Sequence, residues 1–316
     1  MTLHLEKLAG GWRQLGGVSD DALAELIRRD GVDVLFDLAG HTASNRLLVF
    51  ARKPAPVQVS WLGYVGTTGL SAMDYLLADR HQVPEGAERH YREQVLRMPE
   101  GYVCYLPAPE APAVGPLPAL EAGHVTFGSF NNPAKINASV AALWWRVLRG
   151  VPGSRLVLKY CGFLAPKTSR RFHEMFAAEG IGPDRLELHD WSDRAGLLAF
   201  YNRIDLALDP FPYSGGLPTC EALWMGVPVL TWPGETFGSR HSLSHLSSVG
   251  LDGTVARDPD HYVDLAEQWA RDLPRLAAVR AGLREQMAAS PLCDARRFTA
   301  DFSALLRGVW RQWCRR

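Results

Sequence analysis

The 316-residue sequence lacks most of the features that quickly label a protein. It has no charge excess: 34 Lys+Arg face 34 Asp+Glu. Its overall field therefore draws in neither nucleic acid nor an anionic membrane, and any anion site must be local. No apolar stretch approaches the ~20 residues that cross a bilayer. The first 17 residues contain no apolar run of the signal-peptide kind. The five cysteines (Cys104, Cys161, Cys220, Cys293 and Cys314) are scattered without paired spacing. That excludes a disulfide framework and a cysteine-based zinc site, and it suits reduced thiols. There is no internal repeat, no helical-repeat array and no low-complexity segment. The expectation is a cytoplasmic protein that contacts neither nucleic acid nor membrane.

What is present suits a folded chain of two domains, with 47% hydrophobic residues over a length that can bury two cores. Ser19-Asp20-Asp21 places a capping hydroxyl ahead of acids in a first turn. Leu23, Leu26 and Ile27 continue at helical spacing until Gly31. Strands are predicted at Val32–Leu38, Val57–Trp61 and Tyr75–Ala78. The Pro- and Ala-rich stretch from Leu106 to Leu120 reads as a linker. It separates an N-terminal lobe, residues 1–110, from a C-terminal lobe, residues 111–316. Beyond it, strands are predicted at Val125–Phe130, Leu156–Tyr160, Leu186–Leu188, Leu206–Leu208 and Val227–Thr231. The helix after the first of these carries Val140, Leu143, Trp144, Val147 and Leu148 as one apolar stripe. Tyr262–Trp313 is mostly amphipathic helix. Alternating helices and strands make an α/β fold with doubly wound parallel sheets.

In open α/β sheets, ligands bind beyond the carboxyl ends of strands, where helix N-termini present free amides. Three loops have that placement. In Phe130–Asn137, Lys135 would stand beside a helix capped by Asn137 and add a point charge to the dipole, as a diphosphate requires. The plainer reading is a solvated lysine next to an ordinary cap. In Asp209–Glu221, Gly215-Gly216 would let a ligand approach the backbone, and Glu221, placed on the first helical turn, could accept from both hydroxyls of a ribose. The alternative is a turn followed by a helix with a favourable acid. The Gly63–Gly69 loop, with Thr67 and Thr68, is either a donor-facing wall or an irregular turn. His41, after Gly40 at a strand end, is a candidate for donor or acceptor contact. His241 and His245 share a helix face at metal-ligand spacing without a third ligand, which makes them surface or packing residues. Asp258-Pro259-Asp260 reads as a helix cap rather than a metal-binding acid pair.

Together these loops resemble the O-GlcNAc transferase and SPINDLY family, glycosyltransferase family 41. The resemblance runs from about Asp30 to the C-terminus. It is carried by Pro54–Tyr64 (PAPVQVSWLGY), Gly66-Thr67-Thr68-Gly69, Asp74-Tyr75, Phe130-Asn131 with Lys135-Ile136, Glu221–Pro228 (EALWMGVP), Pro233–Thr236 and Ser239-Arg240. It implies a GT-B fold with two Rossmann-like lobes, the first incomplete. The implied donor is UDP-N-acetylglucosamine, the implied acceptor a serine or threonine of a protein, and the implied reaction an inversion at the sugar without a metal or other cofactor. Lys135 would be the diphosphate lysine and a catalytic candidate together with His41. Asn132 would neighbour the donor, Gly215 to Thr219 would cradle phosphate, Glu221 would bind ribose, and Gly63, Gly66 and Thr67 would wall the donor site.

The sequence also departs from the family pattern. Leu217-Pro218 stands where related bacterial sequences have two threonines, and Pro218 removes an amide donor. Gly196-Leu197 replaces a histidine that packs on the nucleobase. No counterpart of the family's first strand and its glycine- and histidine-bearing loop precedes Asp30, and the upstream repeat domain lies outside this chain. Two classes of reading stay open: an enzyme or its catalytic part, or a degenerate member that binds nucleotide or protein without catalysis. Transfer of fucose or glucose is a variant of the first.

Overall fold

The structure, a computed structural model, describes residues 2–315. Among the described residues, nine strands form two sheets. In the first, β1 (Val34–Asp37), β2 (Val57–Ser60), β3 (Tyr75–Asp79) and β4 (Gln94–Met98) lie side by side in chain order, with β1, β2 and β3 parallel. In the second, β5 (Thr126–Ser129), β6 (Arg155–Lys159), β7 (Leu186–His189), β8 (Leu206–Leu208) and β9 (Val229–Leu230) are parallel in the order β7-β6-β5-β8-β9. Strand order reverses between β5 and β8, so the loops leaving their carboxyl ends flank a topological switch point. Those loops begin at Phe130 and Asp209, two of the three segments singled out above.

The residues group into two compact units. One holds the described residues of Met1–Leu77, Glu88–Leu96 and Leu305–Arg316, and the other Ala78–Ala87 and Arg97–Ala304. In the first, helix Asp20–Arg29 starts as the sequence requires, with Ser19 Oγ accepting from Ala22 N. It buries Leu23 and Ala24 beside Val49. In the second, helix Ala138–Gly150 starts on Asn137, whose side chain accepts from Val140 N at 3.0 Å. Its whole predicted stripe is buried, with Trp144 at 0% exposure among Phe127, Leu156 and Phe172. Each large apolar side chain buried this fully stabilises by roughly 1.5–3 kcal/mol. Among the described residues, no helix is long and apolar enough to cross a membrane.

β4 has no counterpart in the sequence expectation. Arg97 interrupts its apolar character, and the structure accommodates that charge by donating it to the carbonyls of Val83 (2.8 Å) and Pro84 (3.2 Å). The Pro-rich segment is not loose either: Tyr105, Ala108 and Leu117 are buried. Its carbonyls are taken up by the second unit, Pro112 O by Arg284, Ala113 O by Asn202 and Gly115 O by Arg280.

Arg280 is 1% exposed and spends its guanidinium on the carbonyls of Gly115 (2.8 Å) and Ile204 (2.9 Å) and on Asn202 Oδ1 (3.1 Å). Burial lowers its pKa to about 10, opposed by the nearby Asp205. Asp205 in turn accepts from Ala119 N and Thr126 N. Replacing Arg280 by Leu orphans these acceptors. The expected loss is about 3 kcal/mol or more, since hydrogen bonds to charged groups contribute ~1.5–3 kcal/mol each and a stranded buried acid adds to it. A lower urea midpoint for Arg280→Leu checks this, and an unchanged midpoint refutes it.

Candidate functional site

The second unit gathers its polar groups at the switch point. β8 delivers Asp209, 2% exposed, whose carboxylate accepts from Gly215 N (2.6 Å) and Thr231 Oγ1 (2.7 Å). Burial raises its pKa to about 6 against these hydrogen bonds. The acid thus bends the chain back so that Ser214–Gly216 sits over the strand end. Gly215 is needed here: a Cβ would lie 2.8 Å from Thr219 Oγ1 and 3.1 Å from Asp209 Oδ1. Ser214 Oγ receives the amides of His241 (2.9 Å) and Ser242 (3.3 Å), which fastens the loop to helix His241–Val249.

From the β5 side comes Lys135, at the end of a short 3-10 turn that Asn132 caps by accepting from Ala134 N. The Lys135 ammonium donates to Ser214 O (2.8 Å) and Asn131 Oδ1 (3.2 Å) and lies 4.6 Å from the centre of the Tyr213 ring. Burial lowers its pKa, while Asp209 opposes the shift. All its partners here are neutral, so it is a cation held by dipoles. Asn132 itself is exposed at the loop surface.

Helix Leu217–Trp224 opens on Gly216 without a side-chain cap. Gly215 N is committed to Asp209, and Thr219 N and Cys220 N both turn back to Gly216 O. Thr219 Oγ1 is likewise engaged, with Gly215 O (3.0 Å) and Ser242 Oγ (2.8 Å). Pro218 has no amide hydrogen. The two amides without a partner among the described residues are those of Gly216 and Leu217. This helix end therefore offers two uncommitted amides and the dipole.

Glu221 is the fifth helical residue, not a first-turn residue as the sequence suggested. It is 5% exposed, beside the buried tyrosines Tyr105 and Tyr201, whose pKa values are raised by burial first and then by its charge. Burial pushes its own pKa up to about 7, with Arg194 pulling it down. Leu197 is half-buried against the same apolar cluster. Asp258 caps its helix, accepting from His261 N at 2.7 Å. His241 and His245 are buried, not surface residues, at 4% and 2% exposure.

The first unit brings its own candidates together. Asp37, at the end of β1, accepts from Ala39 N (3.1 Å) and Gly40 N (2.8 Å). Gly40 has φ +52°, and a Cβ there would fall 2.2 Å from Tyr64 Cβ. The turn sets His41 against Tyr64, and its Nε2 donates to Thr68 O at 3.0 Å. Thr67 and Thr68 are both fixed by Glu93, which accepts from both hydroxyls and from Thr68 N (2.7 Å). Gly63 can bear no side chain, since a Cβ would lie 1.7 Å from Leu38 O, and Gly66 lies against the Tyr64 ring. The sequence offered no sign of Glu93, of Asp209 as an organiser of the loop, or of Ser214. Each is recognisable only from the amides or hydroxyls it collects.

With this geometry in view, comparison with known proteins is decisive. The model of glycosyl transferase family 41 matches residues 14–105 and 118–302. The chain belongs to family 41. It is 42% identical over 315 residues to a protein of Solanum lycopersicum named probable UDP-N-acetylglucosamine--peptide N-acetylglucosaminyltransferase SPINDLY, covering 98% of this chain and 33% of that one. It matches the structure of a mutant O-GlcNAc transferase of Thermobaculum terrenum with a TM-score of 0.94 and 40% identity, over 99% of this chain and 60% of that one. Anabaena HepE, solved with UDP and glucose, shares the fold alone, with a TM-score of 0.58 at 13% identity. The chain thus spans about a third of the SPINDLY relatives it matches. The family 41 fold is α/β of GT-B type, in agreement with the sequence reading.

The buried Glu221 makes a stability prediction. Its folded pKa lies above its unfolded value, so ionisation opposes folding. The penalty is absent well below pH 4.5, grows between 4.5 and 7, and is complete above about 7, where it reaches about 3 kcal/mol. Glu221→Gln should therefore melt higher than wild type at pH 8 and close to it at pH 4. Equal melting temperatures at both values would contradict a buried, costly carboxylate.

Proposed function

We propose that this chain forms the donor-binding part of an inverting glycosyltransferase. The reaction moves N-acetylglucosamine from UDP-N-acetylglucosamine to serine or threonine hydroxyls of proteins. The observation that carries the reading is the set of groups at the β5/β8 switch point: the Lys135 ammonium, two uncommitted amides at Gly216 and Leu217, and a buried carboxyl at Glu221 on the same helix. The names of the tomato and Thermobaculum relatives point to the same transfer.

In this reading, Lys135 and the helix amides bind the diphosphate. As the acceptor hydroxyl oxygen attacks the anomeric carbon, giving up its proton to water, and the bond from that carbon to the diphosphate breaks, charge collects on the departing oxygen. A fixed ammonium and aligned amides stabilise that charge without reorganising, which is the largest contribution available to such a site. No metal is called for, because Lys135 carries the neutralising charge. Glu221 accepts from the ribose hydroxyls, each a donor that favours its ionised form. His41, with Nε2 committed to Thr68 O, keeps Nδ1 to accept from a hydroxyl. The chain's expected surroundings are soluble and cytoplasmic, with an upstream repeat domain recruiting the acceptor protein.

Lys135→Ala should weaken UDP binding by roughly 10- to 150-fold, matching ~1.5–3 kcal/mol for a hydrogen bond to a charged group, and leave uridine binding nearly unchanged. Calorimetric titration with both ligands decides, and equal losses would place Lys135 outside the phosphate site. UDP-N-acetylglucosamine should also bind more tightly than UDP-glucose or GDP-fucose.

Because Glu221 has a pKa of about 7 before binding, uridine affinity should rise with pH and level off above that value. The slope below it should approach tenfold per pH unit. Glu221→Gln should abolish that dependence. A flat wild-type profile between pH 5.5 and 7.5 would separate Glu221 from the ribose.

A further inference from the structure

The side chain of His241 takes no part in the site described so far, yet it is held by several neighbours. It is the first residue of helix His241–Val249 and is 4% exposed. Its main-chain amide is bound by Ser214 Oγ, and the carbonyl of that same Ser214 accepts from Lys135. Its ring centre lies 6.1 Å from that of Tyr213, the ring under the Lys135 ammonium. Phe237 meets it edge-on, with centroids 5.7 Å apart. His241 is thus linked to the Lys135 assembly through Ser214 and Tyr213.

The other face of the ring fixes its tautomer. Gln82 Nε2 donates to His241 Nδ1 at 3.0 Å, and Tyr102 OH stands 2.9 Å from the same nitrogen. With the Gln82 amide in this orientation, Nδ1 is the acceptor and the ring proton resides on Nε2. Gln82 and Tyr102 are held in place in turn, their main-chain amides donating to Asp79 Oδ1 (2.9 Å) and Oδ2 (3.0 Å). Nε2 has no partner among the described residues, and unlike His245 Nδ1 it is not sealed from solvent. Burial first, then the charges of His245 and Lys135, keep the ring neutral, with a pKa of about 3.

We propose that the Nε2–H of His241 is a further ligand-binding group of the second unit, a neutral hydrogen-bond donor that joins Lys135 in holding the diphosphate of the nucleotide-sugar. This rests on the donor-site reading of Lys135. The N–H reaches solvent, and an incoming phosphate oxygen would replace water there with a charged acceptor, the stronger kind of hydrogen bond. Gln82 and Tyr102 are positioning residues that hold the donor tautomer toward the ligand. A neutral donor adds to phosphate binding without placing a second cation beside Lys135.

The test titrates wild type, His241→Val and His241→Gln with UDP and with uridine by calorimetry. His241→Val should lose roughly tenfold or more in UDP affinity, as for a hydrogen bond to a charged group, with uridine unaffected. His241→Gln should retain most of the UDP affinity, because its amide nitrogen reaches the place of Nε2. In 15N-histidine spectra of wild type, the His241 Nε2 resonance should be that of a protonated nitrogen and move with UDP but not with uridine. A folded His241→Val that binds UDP as wild type does, or an unmoved Nε2 resonance, overturns the proposal while leaving the Lys135 reading intact. Wild type that binds no UDP overturns both.

Discussion

The buried carboxylate of Asp209 is the constraint on which the candidate site depends. It costs desolvation to place there, and it is retained because it holds three separate pieces of chain: its own strand end, the amide of Gly215, and Thr231 beyond β9. Fixing Gly215 turns the carbonyl of Ser214 toward Lys135 and the hydroxyl of Ser214 toward the next helix. The lysine, the glycine loop and the helix start are thus one hydrogen-bonded assembly. A change at Asp209 would reach the lysine without touching it.

The same device recurs elsewhere. Asp37 gathers the amides before His41, Glu93 fastens Thr67 and Thr68, and Asp79 gathers the amides of His81, Gln82 and Tyr102. Buried acids serve here as clamps on loop backbones, and each removes amides from the supply available to a ligand. What stays uncommitted is correspondingly informative. At the start of helix Leu217–Trp224 that is two amides, and at His241 it is one ring N–H.

Much of the fold is legible in the sequence because it rests on local patterns. The stripe from Val140 to Leu148, the Ser19, Asn137 and Asp258 caps and the β-rich runs are each decided within a turn or two of chain. β4 is not legible, since Arg97 belongs in a strand only once Val83 and Pro84 supply carbonyls from elsewhere. The placement of Lys135 and Gly215 in loops beyond strand ends could be read from residue type and loop position. The engagement of Thr219 could not, because its partners lie on its own loop and on Ser242, 23 residues further on. His241 and His245 looked like surface or packing residues because spacing alone says nothing of Gln82 and Tyr102, which are separated from them by well over a hundred positions.

The Pro-rich stretch around Ala113 has a practical consequence. Proline and alanine suggest a flexible joint, but Arg280, Arg284 and Asn202 rivet its carbonyls to the body of the second unit. That unit also includes Ala78–Ala87, far upstream of the stretch. It is therefore discontinuous in the gene, and no single cut releases it whole. A protease that severed the chain near Ala113 would leave the two ends clasped. Evolution by exchange of whole units would need crossovers at four junctions, after Leu77, Ala87, Leu96 and Ala304.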